Sequence, residues 1–332
     1  MDPVAEMKMM LYATDDESWL SRLVRMRIFG KSPISAYLRL NRLLWNRLPE
    51  SYTTLNPIRS YGNFLHTLTL IQVTRGQLCH TFFMRNRPTL ELIRRLVERS
   101  TGTNILRVAV LGCSTGPEAY SVAWRIRSAR PDLKLILHAV DISQQAIELA
   151  RNGTYSRATS QFAGTDMFDR LTETEIEELF DKEKDSFAVK SWIKEAIRWH
   201  VGDVSDLEIV SALGPQDIVV ANNFLCHMNA SLAERCLRNI ARLVAPHGYL
   251  FVSGVDLDIR TKVAKELGWS PVLELLEEIH AGDPRMAKGW PFNYSSMEPL
   301  NKGRPNWRLR YAAAFQLNSF VESEKQRANT IA

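Results

Sequence analysis

The stretch Val108-Ala-Val-Leu-Gly-Cys-Ser-Thr-Gly-Pro-Glu-Ala-Tyr-Ser121 packs two glycines, two hydroxyls and an acid around one turn. An apolar run leads into Gly112 and Gly116. A helix with apolar spacing at Ala119, Val122, Ala123 and Ile126 leads out. Strand, tight turn and helix start, in that order, present backbone amides to a nucleotide-like ligand. Further on, Leu135-Ile-Leu-His-Ala-Val-Asp141 makes a second buried strand that ends in a carboxylate, where such folds hold a ribose. The spacing is neither G-x-G-x-x-G nor G-x-x-x-x-G-K-[ST], so a dinucleotide loses its main support and no phosphate loop is indicated. Glycines alone decide little, because a tight turn needs φ > 0 with or without a ligand. Asp141 and the Ser114-Thr115 pair tip the reading toward a small cofactor with a ribose and no pyrophosphate.

The elements that must position these residues follow from periodicity. Residues 1–100 read as a helical region: Trp19, Leu20, Leu23, Val24 and Ile28 recur at helical spacing, as do Ile34, Tyr37, Leu38, Leu40, Leu43 and Leu44. Gly30 and the Ser32-Pro33 pair separate these two helices, and Leu90 to Val97 continues the pattern after Pro88. From Leu106 strands and helices alternate. Strands are expected near 106–111, 135–140, 197–201, 217–221 and 248–253, and helices near 116–128, 143–152, 173–181 and 230–244. That rhythm makes 101–320 a mostly parallel sheet covered on both faces. Pro246-His-Gly248 reads as a turn before the strand Tyr249 to Ser253, and a late strand is expected near Tyr311 to Leu317. An extension at 268–310 is rich in Trp, Pro and Tyr, and reads as a wrapped, aromatic-anchored segment or as a substrate wall; 321–332 reads as a tail.

Three segments carry a resemblance. Ser114-Thr-Gly-Pro-Glu-Ala-Tyr-Ser121 resembles the Ser-Thr-Gly-x-Glu-x-Tyr-Ser signature of the chemotaxis-receptor methyltransferase (CheR) family. Asp141-Ile-Ser-Gln-Gln-Ala-Ile-Glu-Leu-Ala-Arg-Asn-Gly-Thr-Tyr155 is similar to its next block, an Asp followed by a helix ending in Ala-Arg-x-Gly-x-Tyr. Thr81-Phe-Phe-Met-Arg85 resembles its Thr-x-Phe-Phe-Arg motif, with Met84 in place of the second Phe. The resemblance runs from about Thr81 to Gly254. It implies an α/β fold: a class I methyltransferase, Rossmann-like, mostly parallel sheet with an N-terminal helical domain. It implies S-adenosyl-L-methionine as cofactor, a small antiparallel insert between Tyr155 and His200 that meets a protein substrate, and glutamate O-methylation as the reaction.

That cofactor carries a sulfonium, a ribose, an adenine and an amino acid end, and each needs a different partner. Asp141 suits the ribose hydroxyls. The turn at Gly112, Ser114, Thr115 and Gly116 can meet the methionine carboxylate, and Glu118, which matches the family's cofactor-contacting Glu, can accept from the ammonium. Asp203, in Gly202-Asp-Val204, suits the adenine amine, or is a simple turn residue after a strand. The cofactor set is completed by Thr81, Ile142, Val204 and Asn222. Methyl transfer is an in-line displacement that loses positive charge at sulfur, so a dry, aligned site accelerates it. A glutamate acceptor, with a reference pKa of about 4.3, is already an anion and needs orientation and a cation rather than a base. Arg85 matches the family's motif arginine beside the transferring methyl. At the fourth strand's end, Ala221-Asn-Asn-Phe-Leu-Cys-His-Met228 stands where the family has Arg-Asn-x-x-x-Tyr-Phe. Asn223 matches, Asn222 replaces the Arg and His227 replaces the Tyr. A histidine there could orient a carboxylate or, with a reference pKa of about 6.5, deprotonate an alcohol or amine.

Composition bounds the rest. The chain has 332 residues, 45% hydrophobic and 24% charged, which is ordinary globular usage. No apolar run approaches the roughly 20 residues of a membrane span. The opening Met1-Asp-Pro-Val-Ala-Glu lacks the layout of a signal peptide. Cys79, Cys113, Cys226 and Cys236 are scattered without a C-x-x-C pair, which points to reduced thiols, a cytoplasmic protein and no zinc cluster. A formal charge of +5 is too slight to argue for nucleic acid. Arg22, Arg25, Arg27, Lys31, Arg39, Arg42 and Arg47 form a solvated face or a docking surface for an acidic protein partner. The rivals to protein carboxylate methylation are an O- or N-methyltransferase acting on a small molecule or another protein, and a non-catalytic module that senses the cofactor or acts as a scaffold.

Overall fold

In a computed structural model the chain is described over residues 33–53, 55–72, 81–100, 104–156, 167–184, 186–283 and 289–318. The helix expected over Trp19 to Ile28, the basic residues Arg22, Arg25, Arg27 and Lys31, Cys79 and the 321–332 tail lie outside these residues. Contacts group the chain into two compact units. One comprises 1–76, 228–231 and 284–299, and the other 77–227, 232–283 and 300–332. The aromatic-rich stretch 268–310 is therefore shared between both.

The first unit is helical, with α1 (Pro33–Trp45), α2 (Glu50–Thr53) and α3 (Asn56–Gln72). The spacing of Leu40, Leu43 and Leu44 points to an inward face, yet these three are more than half exposed, while Asn41 and Trp45 are buried. Packing explains the difference. Trp45, Leu65, Trp290 and Phe292 form one cluster, with Trp45 edge-on to Trp290 at 5.5 Å. Asn41 is satisfied there, because Tyr61 Oη donates to its Oδ1 at 2.6 Å and its Nδ2 donates to Tyr37 O at 2.9 Å.

The second unit carries the sheet. After α4 (Arg87–Arg99) the chain runs β1 (Ile105–Leu111), α5 (Pro117–Ala129), β2 (Lys134–Asp141) and α6 (Gln144–Asn152). A small three-stranded insert follows, made of β3 (Thr154–Ser156), β4 (Phe180–Glu183) and β5 (Ser186–Val189), with α7 (Glu173–Leu179) leading into β4. The short α8 (Ser191–Lys194), β6 (Ile197–Val201), α9 (Leu207–Leu213) and β7 (Gln216–Asn222) come next. They are followed by α10 (Ala230–Ala241), β8 (Val244–Ser253), α11 (Leu257–Glu266) and β9 (Ser270–Pro271). The last elements are α12 (Leu276–Ala281), α13 (Trp307–Tyr311) and β10 (Ala314–Gln316).

The main sheet has the order β6-β2-β1-β7-β8-β10-β9. It is parallel through β8, and β10 runs antiparallel between β8 and β9. The order reverses between β1 and β7, which puts the ligand crevice at the carboxyl ends of β1, β2 and β7. Val108, Val110, Val219, Val220, Leu250 and Val252 are almost wholly buried, as strands covered on both faces require. The antiparallel insert β3-β5-β4 stands where the resemblance implies one. The five expected strands and the late strand are all present, with two differences. The Pro246–Gly248 turn lies inside β8 as an irregularity, with His247 at φ 63° and a register shift against β7 between Gln216 and Ile218. The late strand is shorter than expected, because Tyr311 ends α13, where its buried ring packs edge-on to His280. Among the described residues no helix is long and apolar enough to cross a membrane, and no group of three or more His, Cys, Asp or Glu is placed to hold a metal ion.

Candidate active site

The glycine turn is built by backbone conformations that only special residues adopt. Gly112 has φ 67° and Gly116 has φ 99°, both in the left-handed region, and Ser114 between them has φ 51°. Space is as tight as the dihedrals are unusual. A Cβ on Gly112 would sit 2.7 Å from Phe224 Cδ1, and one on Gly116 would sit 3.0 Å from both Ala150 Cβ and the Trp199 ring. Pro117 follows Gly116 in the first turn of α5, where its missing N–H costs nothing.

Asp141 closes the turn. Its Oδ2 accepts from the Ser114 amide at 2.7 Å and its Oδ1 accepts from the Ser143 amide at 3.0 Å. Each carboxylate oxygen has a second lone pair, so the group retains acceptor capacity for ribose hydroxyls. Ile142, next in sequence, is 47% exposed, an apolar surface beside that carboxylate. The adjacent strand delivers Asp203, since β6 pairs with β2 and Gly202 N donates to Asp141 O at 3.0 Å. Asp203 is exposed and accepts from Ser205 N at 2.8 Å, a local turn of the kind that an Asp after a strand makes. Val204, Thr81 and Thr115 are buried.

Glu118 sits in the first turn of α5, partly buried, and its Oε1 accepts from Asn222 Nδ2 at 2.8 Å. Asn222 in turn accepts at Oδ1 from Ser253 Oγ at 2.8 Å. This chain fixes the amide's orientation, because a carboxylate only accepts and the hydroxyl donates to the remaining oxygen. Burial raises the Glu118 pKa. The Asn222 hydrogen bond and the Arg85 charge oppose that rise, and the Asp283 charge adds to it. A desolvated carboxylate at the crevice suits a cation such as an ammonium group.

The two other motifs are largely scaffolding for this turn. Tyr155 Oη donates to Thr115 O at 2.6 Å, and Tyr120 Oη donates to Ala150 O at 2.6 Å. Gly153 ends α6 at φ 64°, and a Cβ there would meet Tyr120 Oη at 2.5 Å. Ser121 Oγ donates to Pro117 O at 2.7 Å and accepts from Met84 N at 3.0 Å, which ties the Thr81–Arg85 motif to α5. Phe83 packs edge-on against Tyr155 at 5.3 Å and Phe180 at 5.0 Å, and Met84 is buried at φ 50°.

Arg85 therefore stands on a pinned segment. Asn86 caps α4 by accepting from Thr89 N at 3.2 Å, and its Nδ2 donates to Ile279 O of α12 at 2.9 Å. Arg85 Nε donates to Asp283 Oδ2 at 3.2 Å. Arg170 Nη2 donates to Asp283 Oδ1 at 3.1 Å, and Arg170 Nη1 donates to Arg85 O. The Arg170 guanidinium lies 4.8 Å from the centre of the Phe82 ring. Sequence reasoning missed Asp283 and Arg170. Arg170 follows a stretch without a motif, and Asp283 lies 198 positions from Arg85.

Beyond β7, Asn223 takes φ 61° and its amide donates to Ser253 O at 2.9 Å. A Cβ on Gly254 would lie 2.5 Å from Asn223 Cα, so the two backbones meet where only glycine fits. Asn223 Oδ1 is buried and accepts no hydrogen bond among the described residues. Such strained, under-satisfied positions cluster at functional sites. Phe224 folds back over Gly112, and His227 ends a 3₁₀ turn (Leu225–His227), its amide donating to Phe224 O at 3.0 Å. Hydrogen bonds thus join Ser114 to Asp141 and Asn222 to Glu118 at the crevice, and the Arg85 charge acts on Glu118. Asp203 joins through strand pairing, and His227 is carried on the turn that follows Asn223.

Comparison with known proteins identifies the family. Residues 79–262, more than half of the chain, match the family model described as CheR methyltransferase, SAM binding domain. The "Probable biofilm formation methyltransferase WspC" of Pseudomonas aeruginosa is 25% identical over 184 residues, 54% of this chain and 42% of that protein. The protein of the same name from Pseudomonas putida is 28% identical over 167 residues, 50% of this chain and 37% of that protein. The matches therefore span less than half the length of these relatives. Among solved structures, magnesium protoporphyrin IX methyltransferase from Synechocystis PCC 6803 with bound SAM overlaps 67% of this chain and 85% of its own, at 15% identity and a TM-score of 0.32. That overlap is too loose to add to the topology.

Proposed function

The chain belongs to the CheR methyltransferase family, with 79–262 as its S-adenosylmethionine-binding domain, and from that premise we propose that it methylates a carboxylate on a protein, forming a glutamate methyl ester. When bound, the cofactor supplies a methyl group on a sulfonium. The residues present fit it: Asp141 for the ribose, Glu118 for the ammonium, the Gly112–Gly116 turn for the carboxylate, and exposed Ile142 beside the adenosine.

The observation that carries the carboxylate reading is the placement of Arg85. A motif arginine, on a segment pinned through Met84 and Asn86, carries a charge that favours the ionised form of Glu118. A guanidinium there holds an anionic acceptor, which needs no base. Asn223 and the exposed Asp203 complete the reading, as shapers of the acceptor entrance and of the adenine end. The substrate is a protein with an acidic segment. The mixed surface of α1, where exposed Leu40, Leu43 and Leu44 stand among Arg39 and Arg42, with Arg47 just beyond its end, suits such a partner.

The test is transfer of a labelled methyl group from S-adenosylmethionine into a cell lysate, followed by alkali. Label released as methanol identifies an ester. Alkali-stable label instead supports an O- or N-methyltransferase with His227 as base, a reading that rests on histidine replacing the family's tyrosine. Binding of S-adenosylhomocysteine without turnover supports a cofactor-sensing module.

A further inference from the structure

Asp283 lies outside the family-matched span 79–262, on a segment without a counterpart in the family motifs, yet its carboxylate meets the motif arginine. The geometry is a clamp. Asp283 Oδ2 takes Arg85 Nε at 3.2 Å and Oδ1 takes Arg170 Nη2 at 3.1 Å, while Arg170 also holds the Arg85 carbonyl. The side chains of all three are largely buried, at 18%, 10% and 17% exposure for Arg85, Asp283 and Arg170. The clamp is itself anchored. Asn86 bonds the carbonyl of Ile279 in α12 at 2.9 Å, and the turn after α12 runs close to it, since a Cβ at Gly282 would fall 2.5 Å from Asn86 Oδ1.

We propose that Asp283 is a positioning residue of this methyltransferase, aiming Arg85 through Nε and tempering its charge on Glu118. This rests on the reading of Arg85 as the acceptor's cation and Glu118 as the ammonium's partner. Two ion pairs with a shared carboxylate turn a long, mobile side chain into a fixed one. They also balance the crevice. Glu118 is faced by Asn222 from β7, and the charges of Arg85 from the segment before α4 and of Asp283 from beyond α12 act on it; Cys113 neighbours it from the turn. Removing Asp283's charge leaves Arg85 unopposed. Removing Arg85's takes a positive charge from Glu118 while Asp283 stays held by Arg170. The two changes act on Glu118 in opposite directions, whereas loss of a merely structural contact weakens binding alike at every pH.

The experiment is calorimetric titration of the full chain with S-adenosylhomocysteine between pH 4.5 and 8. In the wild type, affinity falls toward acid as Glu118 takes up a proton and loses its hold on the ammonium. With D283N the acid limb moves to lower pH, by about one unit or less. With R85Q it moves to higher pH, and with D283E it stays in place. Limbs that move in the same direction, or a D283N limb identical to the wild type, overturn the proposal. A wild type that binds no S-adenosylhomocysteine overturns instead the functional reading beneath it. Should D283N not fold, nitrogen-15 NMR of arginine side chains decides. The Nε–H signal abolished by R85K must exchange slowly in the wild type and shift on S-adenosylhomocysteine binding; a fast-exchanging signal refutes the clamp.

Discussion

The hydroxyl of Tyr155 donates to the carbonyl oxygen of Thr115 at 2.6 Å, so the second sequence motif holds the first in shape. Tyr155 is buried beneath the turn, and its ring lies 6.4 Å from that of Tyr120. Tyr155→Phe removes the donor and strands a carbonyl. Stability is expected to fall by about 1–3 kcal/mol, read as a lower urea midpoint, with weaker S-adenosylhomocysteine binding. Loss of neither would show that the turn stands without this bond.

Gly112 is required twice over, by φ 67° and by the Phe224 ring. Gly112→Ala is expected to destabilise by about 1–3 kcal/mol from backbone strain, with overpacking added. Phe224→Ala in the same chain relieves only the overpacking. A double-mutant cycle on denaturation midpoints checks this, and strict additivity would remove the ring as an obstacle.

Asp141→Ala deletes the acceptor of two backbone amides as well as the proposed ribose partner. Affinity for S-adenosylhomocysteine is expected to drop by about 1.5–3 kcal/mol, roughly tenfold to a hundredfold or more. Unchanged calorimetric affinity would take Asp141 out of the cofactor site.

His227→Tyr restores the residue of the family motif. A carboxylate acceptor arrives ionised, so ester formation in the labelled-methyl assay is expected to persist. A collapse of transfer with S-adenosylhomocysteine binding intact would make His227 a base or an obligatory cation.

His138 and His200 face each other across β2 and β6, Nδ1 to Nε2, at 2.9 Å. Burial, then the His200 and Arg198 charges, push the His138 pKa down to about 4. Burial, Arg198 and Arg151 also lower that of His200. The sign follows: the unfolded chain binds protons from about pH 6.5 downward, before the folded pair does. The stability contributed by the neutral pair is present above pH 6.5 and is lost as pH falls toward 4. Urea melts at pH 7.5, 5.5 and 4.5 are expected to show this slope, and His138→Leu to flatten it. An equal slope in both proteins would assign the acid loss to other groups.

Much of this protein was legible in its sequence, because the signals are local. Alternating runs and helical spacing mark β1, β2, β6, β7, α5 and α6, and Gly112 and Gly116 mark a turn that other residues cannot make. Asp141 declares itself by standing at a strand end. Tertiary structure decided what depends on distant partners. Asn222 reaches Glu118 across 104 positions and Asp283 reaches Arg85 across 198, and no spacing rule encodes either meeting. It also decided which face of α1 is inward, burying Asn41 and Trp45 over three leucines. A periodic pattern states only that a face is apolar, whereas burial depends on the shape of what packs against it.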